Sequence, residues 1–309
     1  MSALICGSFA YDTIMVYPGY FKNEILPDKV HMLNVSFLVP EMRREFGGCA
    51  GNIAYNLRLL EGDGLPMGTV GSDFGPYAEW LDQNGISRQY LKTIDGTYTA
   101  QAYITTDLDA NQLTAFHPGA MNHAQLQSVP DSGITLGMVS PNGREAMIQH
   151  AHEFAMRGIP FFFDPGQGMP MFDGYALKVF IEQAHYVTLN DYEFELLRER
   201  TGWSAQDITE RVEALIVTGG NKGSVIYHAG RRHDIPAAKA REVVDPTGCG
   251  DAYRAGLIYG LMRDMDWEAT GRIASLMGAI KIEKPGTQNH RFTLDEFKAR
   301  FKEEFGYGL

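Results

Sequence analysis

The chain has 309 residues, a net charge of −11, and 44% apolar against 21% charged residues, which suits one large globular domain with room for a smaller appendage. The acidic balance, with no basic run, excludes nucleic acid and anionic lipid as partners, and no segment approaches the roughly 18 apolar residues of a membrane span. Three cysteines make neither a disulfide framework nor a zinc-ligand spacing and predict a reducing, cytoplasmic setting.

In chain order, Met1-Ser2-Ala3-Leu4-Ile5-Cys6-Gly7 has no basic leader and reads as a first strand at Leu4–Cys6, not as a signal peptide. A helix is predicted over Asn52–Leu60. Strand and helix then alternate: Thr135–Val139, Gly143–Arg157, Ile159–Phe163, Tyr175–Gln183, Tyr186–Leu189 and Tyr192–Arg200. Strands Ala214–Thr218 and Ser224–Tyr227 follow, and helices Ala252–Arg263, Glu268–Lys281 and Leu294–Glu304 close the chain. This alternation predicts an α/β fold with a layered, mostly parallel sheet.

Two stretches break the rhythm. Thr13–Arg44 has few helix signals, and Thr97–Phe116 reads as strands Thr97–Thr105 and Gln112–Phe116 around a turn at Asp107–Asn111. Residues 13–44 and 97–120 are therefore expected to form a small β lid, and residues 1–12, 45–96 and 121–309 the large domain. An extra hairpin on the edge of the main sheet is the alternative. Lid strands can pair between subunits, so both a monomer and a homodimer through the lid fit the pattern.

Asp245-Pro246-Thr247-Gly248-Cys249-Gly250-Asp251 is a glycine-punctuated turn running into a helix. Such a turn aims backbone N–H groups and the positive helix end at an anion. A carboxylate beside that cradle suits a base that deprotonates an alcohol while the N–H groups hold a moving phosphoryl group. A second glycine cluster, Phe46-Gly47-Gly48-Cys49-Ala50-Gly51-Asn52, also leads into a helix, and Asn52 can both donate and accept.

With these two clusters the chain resembles the ribokinase (PfkB) family of carbohydrate and nucleoside kinases over essentially its whole length. Asn190-Asp191-Tyr192-Glu193, matching Asn-x-x-Glu, and Thr218-Gly219-Gly220 after an apolar strand fall in family order. The resemblance implies a three-layer α/β/α fold with a mostly parallel central sheet and a small β-sheet lid. It makes Asp251 the catalytic base and Gly248, Cys249 and Gly250 the N–H donors of an anion hole. Asn190 and Glu193 would act on Mg²⁺ and the phosphates through water. Thr218, Gly220 and Gly223 would hold ATP, and Asp12, Gly47, Gly48 and Asn52 the hydroxyls of the acceptor. Read as residues alone, Asn190 and Glu193 also fit a helix cap, and Arg254 fits an ion pair with Asp251 or a neighbour. No catalytic role falls to the thiols of Cys49 or Cys249.

ATP and Mg²⁺ are the implied cofactors, with K⁺ a further candidate. Members of the family often hold a monovalent cation near a small-residue run ending in serine, where this chain has Asn289 and His290 in Lys284–His290. For the acceptor, residues 97–119 contain no Lys or Arg but include Tyr98, Tyr103, Phe116 and His117, while Phe37 lies in the first lid segment. Aromatic faces suit a purine, and Phe116-His117-Pro118-Gly119-Ala120-Met121 resembles a segment of bacterial adenosine-kinase-like members. The expectation is an ATP-dependent kinase of a nucleoside 5′-hydroxyl, adenosine first. The alternatives are a sugar kinase acting on ribose, fructose or a relative, and a nucleoside- or nucleotide-binding protein with little turnover. Lys29, Arg43 and Arg44 are the candidate phosphate ligands if the sugar is itself phosphorylated.

Overall fold

The computed structural model describes residues 2–25, 34–109 and 111–309. Its strands are β1 (Ser2–Cys6), β2 (Ala10–Val16), β3 (Glu41–Gly47), β4 (Gly64–Val70), β5 (Tyr90–Thr93), β6 (Ala100–Thr106), β7 (Gln112–His117), β8 (Ile134–Val139), β9 (Phe161–Phe163), β10 (Tyr186–Asn190), β11 (Ala214–Thr218), β12 (Ser224–His228) and β13 (Arg231–Ile235). Its helices are α1 (Phe21–Glu24), α2 (Cys49–Leu59), α3 (Gly75–Gln83), α4 (Arg144–Met156), α5 (Gly174–Gln183), α6 (Asp191–Thr201), α7 (Ala205–Thr209), α8 (Cys249–Leu261), α9 (Trp267–Ile282) and α10 (Leu294–Phe305).

Nine strands form one sheet in the order β13-β12-β11-β10-β9-β8-β1-β4-β5. From β5 to β11 every pairing is parallel, while β11-β12 and β12-β13 are antiparallel hairpins. Strand pleating sorts the core into two layers. Ala3 and Ile5 pack with α2, α3, α8, α9 and α10, while Leu4 and Cys6 pack with α4, α5, α6 and α7. This is a three-layer α/β/α arrangement. On the first side, Gly256 of α8 lies so close to Ala274 of α9 that a Cβ there would stand 2.4 Å from the Ala274 Cα. No helix among the described residues is long and apolar enough to cross a membrane.

Strand order reverses at β1, whose neighbours are β4 on one side and β8 on the other. Crevices beyond the carboxyl ends of strands at such a switch point are where open α/β sheets bind ligands. Asp164 after β9, Asn190 ending β10 and Thr218 ending β11 stand at those carboxyl ends.

The segments expected to form a lid build a separate four-stranded sheet, β3-β2-β6-β7, rather than an added hairpin on the main sheet. It starts earlier in the chain than expected, at Ala10, so Asp12 lies within it. The Asp107 turn is as predicted: the Asp107 carboxylate accepts the N–H groups of Phe21, Asp109 and Asn111.

Candidate active site

The two glycine clusters become the starts of two neighbouring helices. Gly48 caps α2 at φ 89°, and a Cβ there would lie 2.5 Å from Ser8 O and 2.6 Å from Phe9 Cα. Only glycine lets β3 turn into α2 against the end of β1. Ser8, which carried no sequence signal, receives the N–H of Cys49 on its hydroxyl and that of Ala50 on its carbonyl. Gly248 caps α8 in the left-handed region at φ 79°.

Where α2 and α8 meet, Asn52 donates to the Asp251 carboxylate at 2.8 Å, 199 residues away in sequence. Asn52 is itself held by a chain of donors: the Trp80 indole N–H donates to Gln288 Oε1 at 2.9 Å, and Gln288 Nε2 donates to Asn52 Oδ1 at 2.9 Å. The Gln288 amide also donates to the Tyr77 hydroxyl, which in turn donates to Gly47 O at 3.0 Å. This buried relay fixes which end of the Asn52 amide faces Asp251. Burial lifts the Asp251 carboxyl to about 6, with Asn52 and then Arg254 pulling it down. A base poised near 6 is ionised at neutral pH yet strong enough to accept a hydroxyl proton as it leaves.

The turn before α8 is pinned by Asp245, whose carboxylate accepts the N–H of Thr247 and of Gly286, both at 2.9 Å. Burial opposes its ionisation, but these donors and the Lys281 charge hold the carboxyl below its ordinary value. Of the three expected anion-hole donors, Cys249 turns its N–H to Pro246 O at 3.1 Å. Gly248, Gly250 and Asp251 are the N–H groups of this turn with no acceptor among the described residues. Arg254 pairs with a neighbour and not with Asp251: its guanidinium grips Asp164 at 2.8 and 2.9 Å and reaches Gly250 O at 3.3 Å. Both partners are buried. The sequence hint for Asp164 is an Asp-Pro-Gly step directly after a buried Phe-Phe-Phe strand.

Asn190 and Glu193 bond to each other. Asn190 Oδ1 accepts the Glu193 N–H at 2.7 Å and Glu193 Oε2 accepts the Asn190 N–H at 2.9 Å, a capping box on α6. Burial raises the Glu193 carboxyl, opposed by the Asn190 N–H and Arg254. Among the described residues no group of three or more His, Cys, Asp or Glu is arranged to hold a metal. Thr218, Gly219 and Gly223 line a cleft of about 500 Å³ together with Asp191, Lys222 and Arg232. Gly220, in the turn between β11 and β12, has open space above its Cα.

On the small sheet, Glu45, Asp12, Ala102 and Phe116 are partners in one row across β3, β2, β6 and β7, hence on one face. Asp12 lies against Gly47, where a Cβ would stand 2.5 Å from its Oδ2. Burial, then Glu45 and Asp245, raises its carboxyl to about 6. Arg43 shares this face and stands 3.8 Å from Asp245. Arg44, Tyr103 and His117 are one residue out of that parity and occupy the opposite face. There Arg44 stacks on Tyr11 at 3.6 Å and Tyr103 donates to Gln101. Phe37 packs on Tyr17 and Phe21, and Lys29 lies outside the described residues. In the tail, Asn289 donates to Glu45 at 2.8 Å, and His290 bonds to Asn56 with burial pushing its pKa down to about 3.

Residues 9–293 match the family model of the pfkB family carbohydrate kinases. A nucleoside kinase of Methanocaldococcus jannaschii is 32% identical over 271 residues, covering 87% of this chain and 89% of that protein. The structure of Burkholderia thailandensis nucleoside kinase in complex with inosine is 51% identical, with 99% of both chains covered and a TM-score of 0.90. The same enzyme in complex with ADP-inosine is 53% identical at a TM-score of 0.88, over 99% of this chain and 97% of that one. With the Asp245–Asp251 turn, the Asn52 helix and the small sheet all inside the matched span, the chain belongs to the pfkB family of carbohydrate kinases.

Proposed function

We propose that this pfkB-family kinase transfers the γ-phosphate of Mg·ATP to the 5′-hydroxyl of a nucleoside, with purine nucleosides, adenosine among them, as the favoured class. The observation that carries the reading is the buried Asp251 carboxylate, held by Asn52 beside N–H groups that have no acceptor among the described residues. The relatives that are nucleoside kinases, one of them bound to inosine, and the row joining Asp12 to Phe116 favour a ribose with a ring attached over a free sugar.

Asp12 and Asn52 hold the ribose hydroxyls, and Asp251 takes the 5′-hydroxyl proton as the oxygen attacks in line. The free N–H groups of Gly248, Gly250 and Asp251 stabilise charge on the transferring group. Thr218, Gly220 and Gly223 shape the nucleotide side. The Mg²⁺ of the substrate neutralises phosphate charge. Glu193, with its second oxygen outside the capping bond, and Asn190 suit that ion through water, consistent with a metal that arrives with ATP. The small sheet, residues 13–44 and 97–120 extended back to Ala10, closes as a lid and excludes water, which would otherwise take the phosphoryl group.

The test is ADP release from Mg·ATP with adenosine, inosine, cytidine, ribose, fructose and fructose 6-phosphate, run beside Asp251→Asn. Turnover concentrated on purine nucleosides and lost in the variant is expected. Turnover on a free or phosphorylated sugar, or silence across the panel, would overturn the acceptor assignment.

A further inference from the structure

Lys281, in the last turn of α9, has no exposed surface. Burying an ammonium costs several kcal/mol unless its protons find good acceptors. The acceptors here are two main-chain carbonyls, Asp245 O at 2.7 Å and Lys284 O at 3.1 Å. Each opens one of the two segments that meet behind the phosphoryl-transfer point. Asp245 begins the turn into α8, and Lys284 begins the turn through Gly286 and Thr287. These segments are further tied by Gly286 N–H to Asp245 Oδ2 and by the N–H groups of Val244 and Asp245 to Ile282 O at 2.9 and 3.1 Å. The ammonium therefore stands at the centre of a clamp whose free face is the set of N–H groups at Gly248, Gly250 and Asp251. Its charge reaches into that turn. Burial pushes the Cys249 thiol up to about 11, and Lys281 is the foremost influence drawing it back down.

We infer that the Lys281 ammonium is a built-in monovalent cation, which positions the anion-hole turn and frees phosphoryl transfer from any need for added K⁺. Carbonyl oxygens of two separate loops converging on one site are the donor set that a monovalent cation takes, and here the chain supplies the cation from its own helix. A fixed positive charge behind the turn adds to the field of the α8 N-terminus where negative charge develops in the transition state. Lys281 has no exposed surface with which to meet a substrate, so it acts through the turn, on kcat rather than on acceptor binding. The K⁺ expected near Asn289 and His290 is thereby made unnecessary: those side chains bond to Glu45 and Asn56.

The inference rests on Asp245–Asp251 being the anion-hole turn, and the experiment separates the two. Initial rates with Mg·ATP and inosine are measured in choline chloride and in KCl at equal ionic strength, for wild type, Lys281→Ala, Lys281→Met and Asp251→Asn. Wild-type kcat should agree between the salts within about twofold, while both Lys281 variants lose on the order of tenfold to a hundredfold in kcat with the inosine KM nearly unchanged. Ammonium, methylammonium or K⁺ should restore Lys281→Ala several-fold and leave Lys281→Met, whose apolar chain fills the space, unrestored. Wild type stimulated several-fold by K⁺, or Lys281→Ala retaining its kcat, overturns the assignment. The wild-type salt comparison decides even if the alanine variant fails to fold. Turnover surviving in Asp251→Asn would instead indict the reading of the turn itself.

Discussion

The two surfaces proposed to enclose the acceptor are built in opposite ways. Below, α2 and α8 present Asp251 through an unbroken relay of Trp80, Gln288 and Asn52, and the three relay bonds measure 2.8 to 2.9 Å. Above, β7 is exposed along its whole length, and Phe116 keeps 51% of its surface open. In the proposed reaction charge moves at the lower surface, where donors and base have to be fixed beforehand for their electrostatic effect to be realised. The upper surface in that reaction only has to recognise and cover, and an exposed face that sets Phe116 beside Asp12 and Glu45 can adapt to a ring without repacking a core. Rigidity and tolerance are thus divided between two sheets of one chain.

Removing the base should break the lower surface most. Asp251→Asn is expected to cut kcat by about a thousandfold, in the range for a lost general base, with ATP binding by calorimetry retained. Turnover close to wild type would dismiss Asp251 as the base. The same carboxyl sets the pH response. Its folded value of about 6 lies above the ordinary 3.8, so acceptor kcat/KM should fall as pH drops through about 6. Ionising it also costs the folded state stability as pH rises through that window. Asp251→Asn should therefore melt higher than wild type at pH 8 and lose the advantage near pH 4.

On the upper surface, Asp12→Ala should raise the nucleoside KM by about ten- to a hundredfold, the loss expected for charged hydrogen bonds to substrate hydroxyls, with a smaller change in kcat. An unchanged KM would remove Asp12 from the acceptor site. The division of labour is sharpened by Gln288→Leu, which cuts the relay without touching a substrate. With Gln288 gone the Asn52 amide is free to flip its oxygen toward Asp251. We expect about a tenfold fall in kcat, the size of one buried hydrogen bond left unmade, and an unaltered KM for ATP. A KM change without a kcat change would make Gln288 part of the acceptor pocket instead.

Much of the lower surface was readable in the sequence because glycine-before-helix has a local signature. All seven predicted helices appear within a few residues of their expected bounds. The parallel strands, buried on both faces, read as apolar runs such as Phe161-Phe162-Phe163. The small sheet was harder. β3 reads Glu-Met-Arg-Arg-Glu-Phe-Gly and lies largely exposed, so it shows no buried face to a pattern search. Its pleat also decides which aromatics share the Asp12 face. Tyr103 and His117 look as suitable as Phe116 until the register turns them to the far face. The pairings of Asp164, Gln288 and Lys281 were out of reach for another reason, even where, as at Asp164, a strand-ending Asp-Pro-Gly step gave a hint. Their partners lie 90, 236 and 36 residues away, and only the fold brings a lone Asp, Gln or Lys to the site.

The smallest expected effect lies on the nucleotide side, where a residue has two jobs at once. Glu193 caps α6 through Oε2, yet burial raises its carboxyl, which marks a charge held where little else solvates it. A cap needs only an acceptor oxygen, and an amide supplies one. Glu193→Gln should therefore leave stability within about a few tenths of a kcal/mol of wild type, with the thermal midpoint hardly moved. An ion held through water senses the lost charge, so the Mg²⁺ concentration for half-maximal rate should rise by about threefold, on the order of one weakened charged hydrogen bond. If the Mg²⁺ titration superimposes on wild type while the midpoint falls, Glu193 is a cap alone. The nucleotide half of the site would then hold its metal entirely through ATP, as loosely built as the upper surface and unlike the relay beneath the base.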